Sequence, residues 1–473
     1  MSAAPVWVGL DVGTGSARAL AVTADGAVVG RAERSLRSRR DGARHEQDAG
    51  DWWPAVAAAC REALDDVAPQ RVRGVATCTT SGTLALVDGD GRPLTAALMY
   101  DDARAGEQAR RLGLAPSWAL PKLLWLLERG PELSAGGARI AHQCDVVNAR
   151  LVGEAVATDW SHALKTGFDP GREEWSAATA EALGEHEVAL PRVVAPGSLL
   201  GEVCADAAAQ AGVPAGAPVI AGMTDGCAAQ IAAGALRPGD WNAVLGTTLV
   251  LKGCSRGRLD EPAHGVYSHR APDGEWLPGG ASSSGAGVLP DTFPGRDLDE
   301  LTAAARVHER TRVIAYPLAA RGERFPLAAP DAEAFMLGAP ADEGEHVAAL
   351  LQGVALVERL CFARLARLGA PAGGELSFTG GATRNRHWCQ LRSDALGRPV
   401  RLPQHSDSAF GMAILASAAT GGERLAEAAR RMSRTKAVIE PRPAMHAHLA
   451  EQYERLVAEL ARRGWLDDPD ALT

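Results

Sequence analysis

The rhythm of hydrophobic and polar positions along this chain predicts strands and helices in alternation. Short apolar runs at 6–10, 17–23 and 27–33, separated by turns at Gly13-Thr14-Gly15 and Asp25-Gly26, predict three strands. Asp51 then stands as a helix cap before DWWPAVAAACREALDDV, where Pro54 is tolerated in the first turn. RVRGVATC (71–78) and TLALVD (83–88) predict further strands, the second closed by a DGDG turn. From 104 to 190 the pattern is mostly helical and irregular, as expected of an insertion that shapes a pocket.

The strand APVIAG (217–222) leads through MTDG into the small-residue helix CAAQIAAGAL, and Pro238-Gly239 makes a turn. A second glycine-threonine hairpin, AVLGTTLVLK, spans 243–252. Residues 345–369 predict a long helix ended by Gly369, followed by strand 375–381, helix 385–397 and strand 399–403. Helices over 409–420 and 446–464 complete an α/β pattern. At 473 residues the chain exceeds the ~250–300 at which single cores stop growing, so two domains are expected, 1–236 and 237–473.

Composition narrows the function classes. With 46% hydrophobic and 23% charged residues the chain is ordinary globular material, and its net charge of −9 argues against a nucleic-acid surface or a polybasic membrane patch. The eight cysteines show no CxxC pair, so reduced thiols in a cytoplasmic protein are expected and zinc is not. The first residues have no basic region and one strand's length of apolar sequence, unlike a signal peptide. No apolar run approaches the ~20 residues that span a bilayer.

The chemistry sits at the turns. Backbone N–H groups around Gly13 and Thr14 can converge on a phosphate while Asp11, at the strand end, faces its metal; taken alone, the same turn is equally a plain hairpin. It lacks the GKS or GKT of a Walker loop, and a strand rather than a helix follows it, so it is not a Rossmann fingerprint. Gly246, Thr247 and Thr248 repeat the pattern, and the pairing favours a nucleotide gripped from two sides. Asp225 is either a helix cap or a base for an attacking hydroxyl. Gly380 and Gly381 suit a strand-to-helix loop or close approach of backbone to a base or phosphate. Asp102 and Arg104 could cap a helix or bind polyol hydroxyls; His142, Asp145 and Lys165 read as structural, and Trp52 and Trp53 as core.

Seven segments in order, GLDVGTGSAR, HEQDAGDWW, LMYDDAR, AGMTDG, LGTTLVLK, FTGGATRNRHWCQLRSDALGRPV and SAFGMAILA, resemble the FGGY carbohydrate kinases of the sugar kinase/actin/Hsp70 superfamily. The resemblance implies an α/β fold of two ribonuclease-H-like (actin-like ATPase) domains with an interdomain cleft, in which a C-terminal helix can return to the first domain. It further implies ATP with Mg²⁺ and transfer to a sugar hydroxyl. Carried over by motif, Asp11 is the metal-side carboxylate with Gly13 and Thr14 on the phosphates, and Asp225 is the catalytic base. Gly246, Thr247 and Thr248 are the second phosphate loop, Gly380, Gly381 and Asn385 the adenine side, and Ser81 and Asp102 substrate contacts. The implied partners are a small sugar and ATP; a homodimer is compatible, and nucleic acid and membrane are not implied.

The departures concern the acceptor. Thr80, Ser81 and Gly82 stand where xylulokinases carry Gln-Met-His-Gly, and Tyr100 stands in place of a Trp. Together with HQCDVVNARLVGE, TDWSHALKTGFDP and YPLAARGERFP, this resembles a D-ribulokinase subgroup, so the expected reaction converts D-ribulose to D-ribulose 5-phosphate. Xylulose or another pentulose or pentitol is the alternative acceptor. A chaperone-like or filament ATPase and a sugar-binding regulator with a dead site are the competing classes, disfavoured by the sugar-kinase segments and by intact Asp11 and Asp225.

Overall fold

Val6–Val12 and Ser16–Thr23 form an antiparallel hairpin that Val28–Ser35 extends, as the apolar runs predict. The computed structural model describes residues 4–130, 133, 137–184 and 186–466. The chain divides into two compact units: one holds residues up to Gly234 with His269–Gly274 and His405–Arg434, the other Ala235–Ser268, Glu275–Gln404 and the chain from Thr435.

In the first unit the sheet order is Leu199–Glu202, Pro218–Ile220, Val72–Thr79, Val6–Val12, Ser16–Thr23, Val28–Ser35. Val72–Thr79 runs parallel to both Val6–Val12 and Pro218–Ile220. The carboxyl ends of these three strands therefore share one edge, where ligands of parallel sheets bind. From that edge emerge the turn at 13–15, the segment 80–82 and the loop to Asp225.

Both faces of the central strand are covered, which is why VWVGL reads as unbroken apolar sequence up to Asp11. Val6, Val8, Leu10 and Val12 join a core with Trp52, Val56 and Cys60 of the helix Trp52–Ala63. The opposite face meets the helix Ser408–Gly421: a Cβ on Gly9 would lie 1.7 Å from the Ala409 carbonyl oxygen, and Trp7 donates its indole N–H to Thr420 at 2.8 Å. This helix, far along the sequence, is thus part of the first unit, whereas the last helix, Pro443–Arg462, buries Leu449, Tyr453 and Leu456 in the second. A single division at 236 misses that return, which rests on small-residue packing.

The insertion is less helical than the pattern suggests. Helices Gly106–Leu112, Ala119–Arg129 and Gln143–Val152 form, but Arg139–His142 is a strand paired antiparallel with Leu84–Val87 in a sheet that also holds Arg44–Gln47 and Ala97–Leu98.

The second unit repeats the hairpin-plus-parallel-strand theme. Trp241–Leu245 is antiparallel to Leu249–Gly253 and parallel to Leu376–Thr379, followed across the sheet by Val400–Pro403 and Thr435–Ile439. The helix Glu343–Arg367 is long and apolar enough to cross a membrane by length and composition, yet most of it is buried in this core through Val347, Leu351, Val354 and Leu360.

Candidate functional site

Asp11 ends the central strand, directly opposite Arg18 on the next strand. Arg18 Nη1 donates to Asp11 Oδ2 at 3.0 Å, and the Cys78 thiol faces Oδ1 at 3.7 Å. Burial first, and then the negative charge of Asp225, raise the Asp11 carboxyl from 3.8 to about 6 against the pull of Arg18. Beyond it the turn closes through the Gly13 N–H on the Ser16 carbonyl, at 3.0 Å. The turn is braced from outside: Gln47 donates through Nε2 to the Thr14 carbonyl (2.6 Å), and Trp52 donates its indole N–H to Gln47 Oε1 (2.7 Å). Trp52 and Trp53 are core residues, as expected, and Trp52 also orients Gln47.

Asp225 is the first residue of the helix Asp225–Ala233, where the helix N-terminus favours an anion. The Gly226 N–H donates to its Oδ1 at 2.8 Å, and Ser408 Oγ donates to its backbone carbonyl at 3.2 Å. Its side chain does not serve as the cap, because the capping position belongs to Thr224.

Thr80 is tied to Thr83 and Gln143, while the hydroxyl of Ser81 is buried with no hydrogen-bond partner among the described residues. Lys165 Nζ donates to the Ser81 carbonyl at 3.3 Å. Nearby, Lys122 is fully buried and donates to the carbonyls of Met99 (2.9 Å), Tyr100 (3.1 Å) and Ser117 (3.4 Å). Burial and then the neighbouring Lys165 lower its amine to about 7.

Asp102, expected as a direct sugar contact, has no exposed surface. Its oxygens accept from the His45 N–H, the Arg104 N–H and, in bidentate fashion, the Arg104 guanidinium (Nη2 at 2.7 Å), so it orients Arg104. Arg104 also reaches Glu46 at 2.7 Å and lies over the Trp125 ring. His142 and Asp145 form a buried cap on the helix Gln143–Val152, with His142 Nε2 facing Thr166 Oγ1 at 2.9 Å, which matches their structural reading.

In the second unit, Gly246 N–H donates to the Thr248 carbonyl at 3.1 Å, while Ala286 and Gly287 donate their N–H groups to the carbonyls of Gly246 and Thr247. That supporting turn is held by Glu323, whose carboxylate accepts from Ser282 Oγ, the Ser283 N–H and the Tyr316 hydroxyl. Gly380, at φ 89°, passes so close to Leu245 that a Cβ would lie 2.5 Å from its carbonyl oxygen; beside Gly381 the space is open. The parallel pairing of Trp241–Leu245 with Leu376–Thr379 thus brings the 246–248 and 380–381 turns to one edge. Asn385, expected on the adenine side, accepts from the Trp388 N–H as the cap of helix Arg386–Leu396 and donates to Thr302 Oγ1 at 2.8 Å.

The sequence reading left Gln47 and Glu323 unassigned, although both lie in the quoted segments HEQDAGDWW and YPLAARGERFP. It also overlooked Asp159, Ser161 and His162, whose spacing in TDWSH is that of a self-capping turn.

This geometry has relatives. The N-terminal domain of the FGGY family of carbohydrate kinases matches residues 6–232 and the C-terminal domain of the same family matches 241–420. The chain belongs to the FGGY family of carbohydrate kinases. It is similar to a xylulose kinase of Streptomyces coelicolor, 32% identical over 468 residues that cover 91% of this chain and 92% of that protein. An L-xylulose/3-keto-L-gulonate kinase of Escherichia coli is 27% identical, with 87% of each chain covered. Among solved structures, a xylulose kinase from Rhodospirillum rubrum superposes with a TM-score of 0.86 at 26% identity, over 96% of this chain and 98% of that one. The FGGY assignment makes this chain a sugar kinase with the two-domain actin-like ATPase fold.

Proposed function

We propose that this FGGY kinase transfers the γ-phosphoryl group of ATP to the terminal hydroxyl of a ketopentose, with xylulose placed ahead of ribulose. The observation that carries the reading is the placement of Asp11 and Asp225 at the carboxyl-end edge of one sheet's parallel strands, close enough for the charge of one to raise the other. Xylulose leads because relatives covered over most of their length are xylulose kinases, which supports the alternative acceptor better than D-ribulose.

Asp225 takes the proton of the acceptor hydroxyl and orients it; its fixed backbone and its place at a helix N-terminus suit an ionised carboxylate. Gly13, Thr14, Gly246, Thr247 and Thr248 are assigned to the phosphates, and Gly380 and Gly381 to the base, with Asn385 shaping that turn as a cap. Ser81, whose buried hydroxyl lacks a partner among the described residues, offers a hydrogen bond to the acceptor. Asp102 acts there through Arg104.

Magnesium fits Asp11, an oxygen donor beside the 13–15 turn whose charged form is disfavoured first by burial and then by Asp225, with Arg18 offsetting this only in part. Asp11 would hold the ion directly or through its waters, and the bound ion supplies neutralisation of phosphate charge.

The test is a coupled ADP-release screen over D-xylulose, L-xylulose, D-ribulose, pentitols, hexuloses and glycerol. The reading expects the highest kcat/KM with a xylulose; a preference for D-ribulose restores the subgroup expectation, and turnover confined to glycerol or hexuloses removes the pentulose reading.

A further inference from the structure

Five buried polar residues close into a ring one residue upstream of Asp225. Asp159 Oδ1 accepts from the Ser161 N–H (2.9 Å), the Ser161 hydroxyl (2.5 Å) and the His162 N–H (3.2 Å), while its Oδ2 meets His162 Nδ1 at 2.5 Å. From the far side of the imidazole, Nε2 faces Thr79 Oγ1 at 2.9 Å. Thr79 forms a parallel bridge with Thr224. The Thr224 N–H donates to Ser161 Oγ at 3.0 Å and so returns to the start. None of these five residues exposes more than 3% of its surface.

The bonds that meet at Ser161 have a set direction. The Ser161 hydroxyl donates to Asp159 Oδ1 at 2.5 Å, so its oxygen is left to accept from the Thr224 N–H. His162, with Nδ1 on Asp159, presents Nε2 to Thr79, the residue that flanks Thr224 on the neighbouring strand. Thr224 occupies the capping position of the helix Asp225–Ala233 but makes no side-chain cap of its own. The start of that helix is therefore located from outside, through Ser161 and Thr79, while Gly226 N–H and Ser408 fix Asp225 from the following side.

We propose that Ser161 and His162, both anchored on Asp159, are positioning residues that set the Thr224–Asp225 turn and so aim the Asp225 carboxylate at the acceptor hydroxyl. This rests on the reading of Asp225 as the base. The ring lies wholly within the first unit and bears on the Thr224–Asp225 turn, so its loss is expected to act on the rate of transfer rather than on nucleotide binding. Such a ring is worth more intact than the sum of its parts, because a half-satisfied buried network leaves an N–H or a carboxylate without a partner.

The experiment measures kcat and both KM values for the full chain and for Ser161→Ala, His162→Gln, Asp225→Asn and the double variant Ser161→Ala/Asp225→Asn. Ser161→Ala is expected to lower kcat by about 10- to 100-fold with both KM values within about threefold of wild type, as expected when aim rather than binding is lost. His162→Gln, which keeps a donor toward Thr79, is expected to lose less. In the Asp225→Asn background Ser161→Ala should cause no further loss, because positioning matters only for the group it positions. A kcat for Ser161→Ala and His162→Gln within twofold of wild type overturns the proposal, as does a full additional loss in the double variant. Should Ser161→Ala fail to fold, His162→Gln decides alone by the same split between kcat and KM. If Asp225→Asn itself turns over normally, the reading of Asp225 fails; if only Ser161→Ala and His162→Gln are normal, the positioning inference fails and the base stands.

Discussion

Trp52 donates its indole N–H to Gln47 at 2.7 Å, and through Gln47 it reaches the carbonyl of Thr14 in the turn proposed to hold phosphate. A buried aromatic in the first helix thereby sets the shape of a loop far from it in sequence. Replacing Trp52 by Phe leaves the Gln47 oxygen without its donor in a buried setting, a change worth about 1–3 kcal/mol. The expected outcome is a lower urea midpoint together with a KM for ATP raised several-fold while the KM for the sugar holds. Urea unfolding and steady-state kinetics on the same preparation check both.

Glu358 and Arg392 form a fully buried pair in the second unit, with bonds of 2.6 and 2.8 Å, and the guanidinium lies 3.6 Å from the Phe378 ring centroid. Removing one partner strands a charge in the core. Glu358→Ala is therefore expected to cost about 3–5 kcal/mol, whereas the joint change Glu358→Leu/Arg392→Met costs much less. Chemical denaturation of the two variants separates these outcomes.

His162 carries a pH signature. Burial alone disfavours its imidazolium, but Asp159, by charge and hydrogen bond, with Asp145 and Asp225 beyond, reverses that and carries the ring above its ordinary 6.5. A raised value in the folded state means that the stabilisation is complete below about 6.5 and fades as the pH rises through the raised value. The stability gap between wild type and His162→Gln should therefore be widest near pH 6 and narrow toward alkaline pH. Thermal melts of both proteins across that range check the slope.

The strand-turn-strand at 6–23 was legible because its apolar runs are short and bounded by glycine, and its neighbour in the hairpin is local. Asp225 was legible as a choice between two roles, and the structure gives the capping position to Thr224 instead. What sequence could not show was long-range pairing. The strand Arg139–His142 finds its partner at Leu84–Val87, and the helix Ser408–Gly421 finds Gly9, neither signalled by local periodicity. Local bonding was equally hidden: Asp102 is fully buried and binds Arg104, and Asn385 accepts from the Trp388 N–H as a helix cap, neither of which a motif shows.

The proposed transfer depends on Asp225, and the most direct measurement is steady-state kinetics of Asp225→Asn beside its ATP affinity by calorimetry. Loss of a positioned base predicts a fall in kcat of about 10²- to 10⁴-fold with the Kd for ATP within about twofold of wild type. Turnover within a few-fold of wild type would contradict the account.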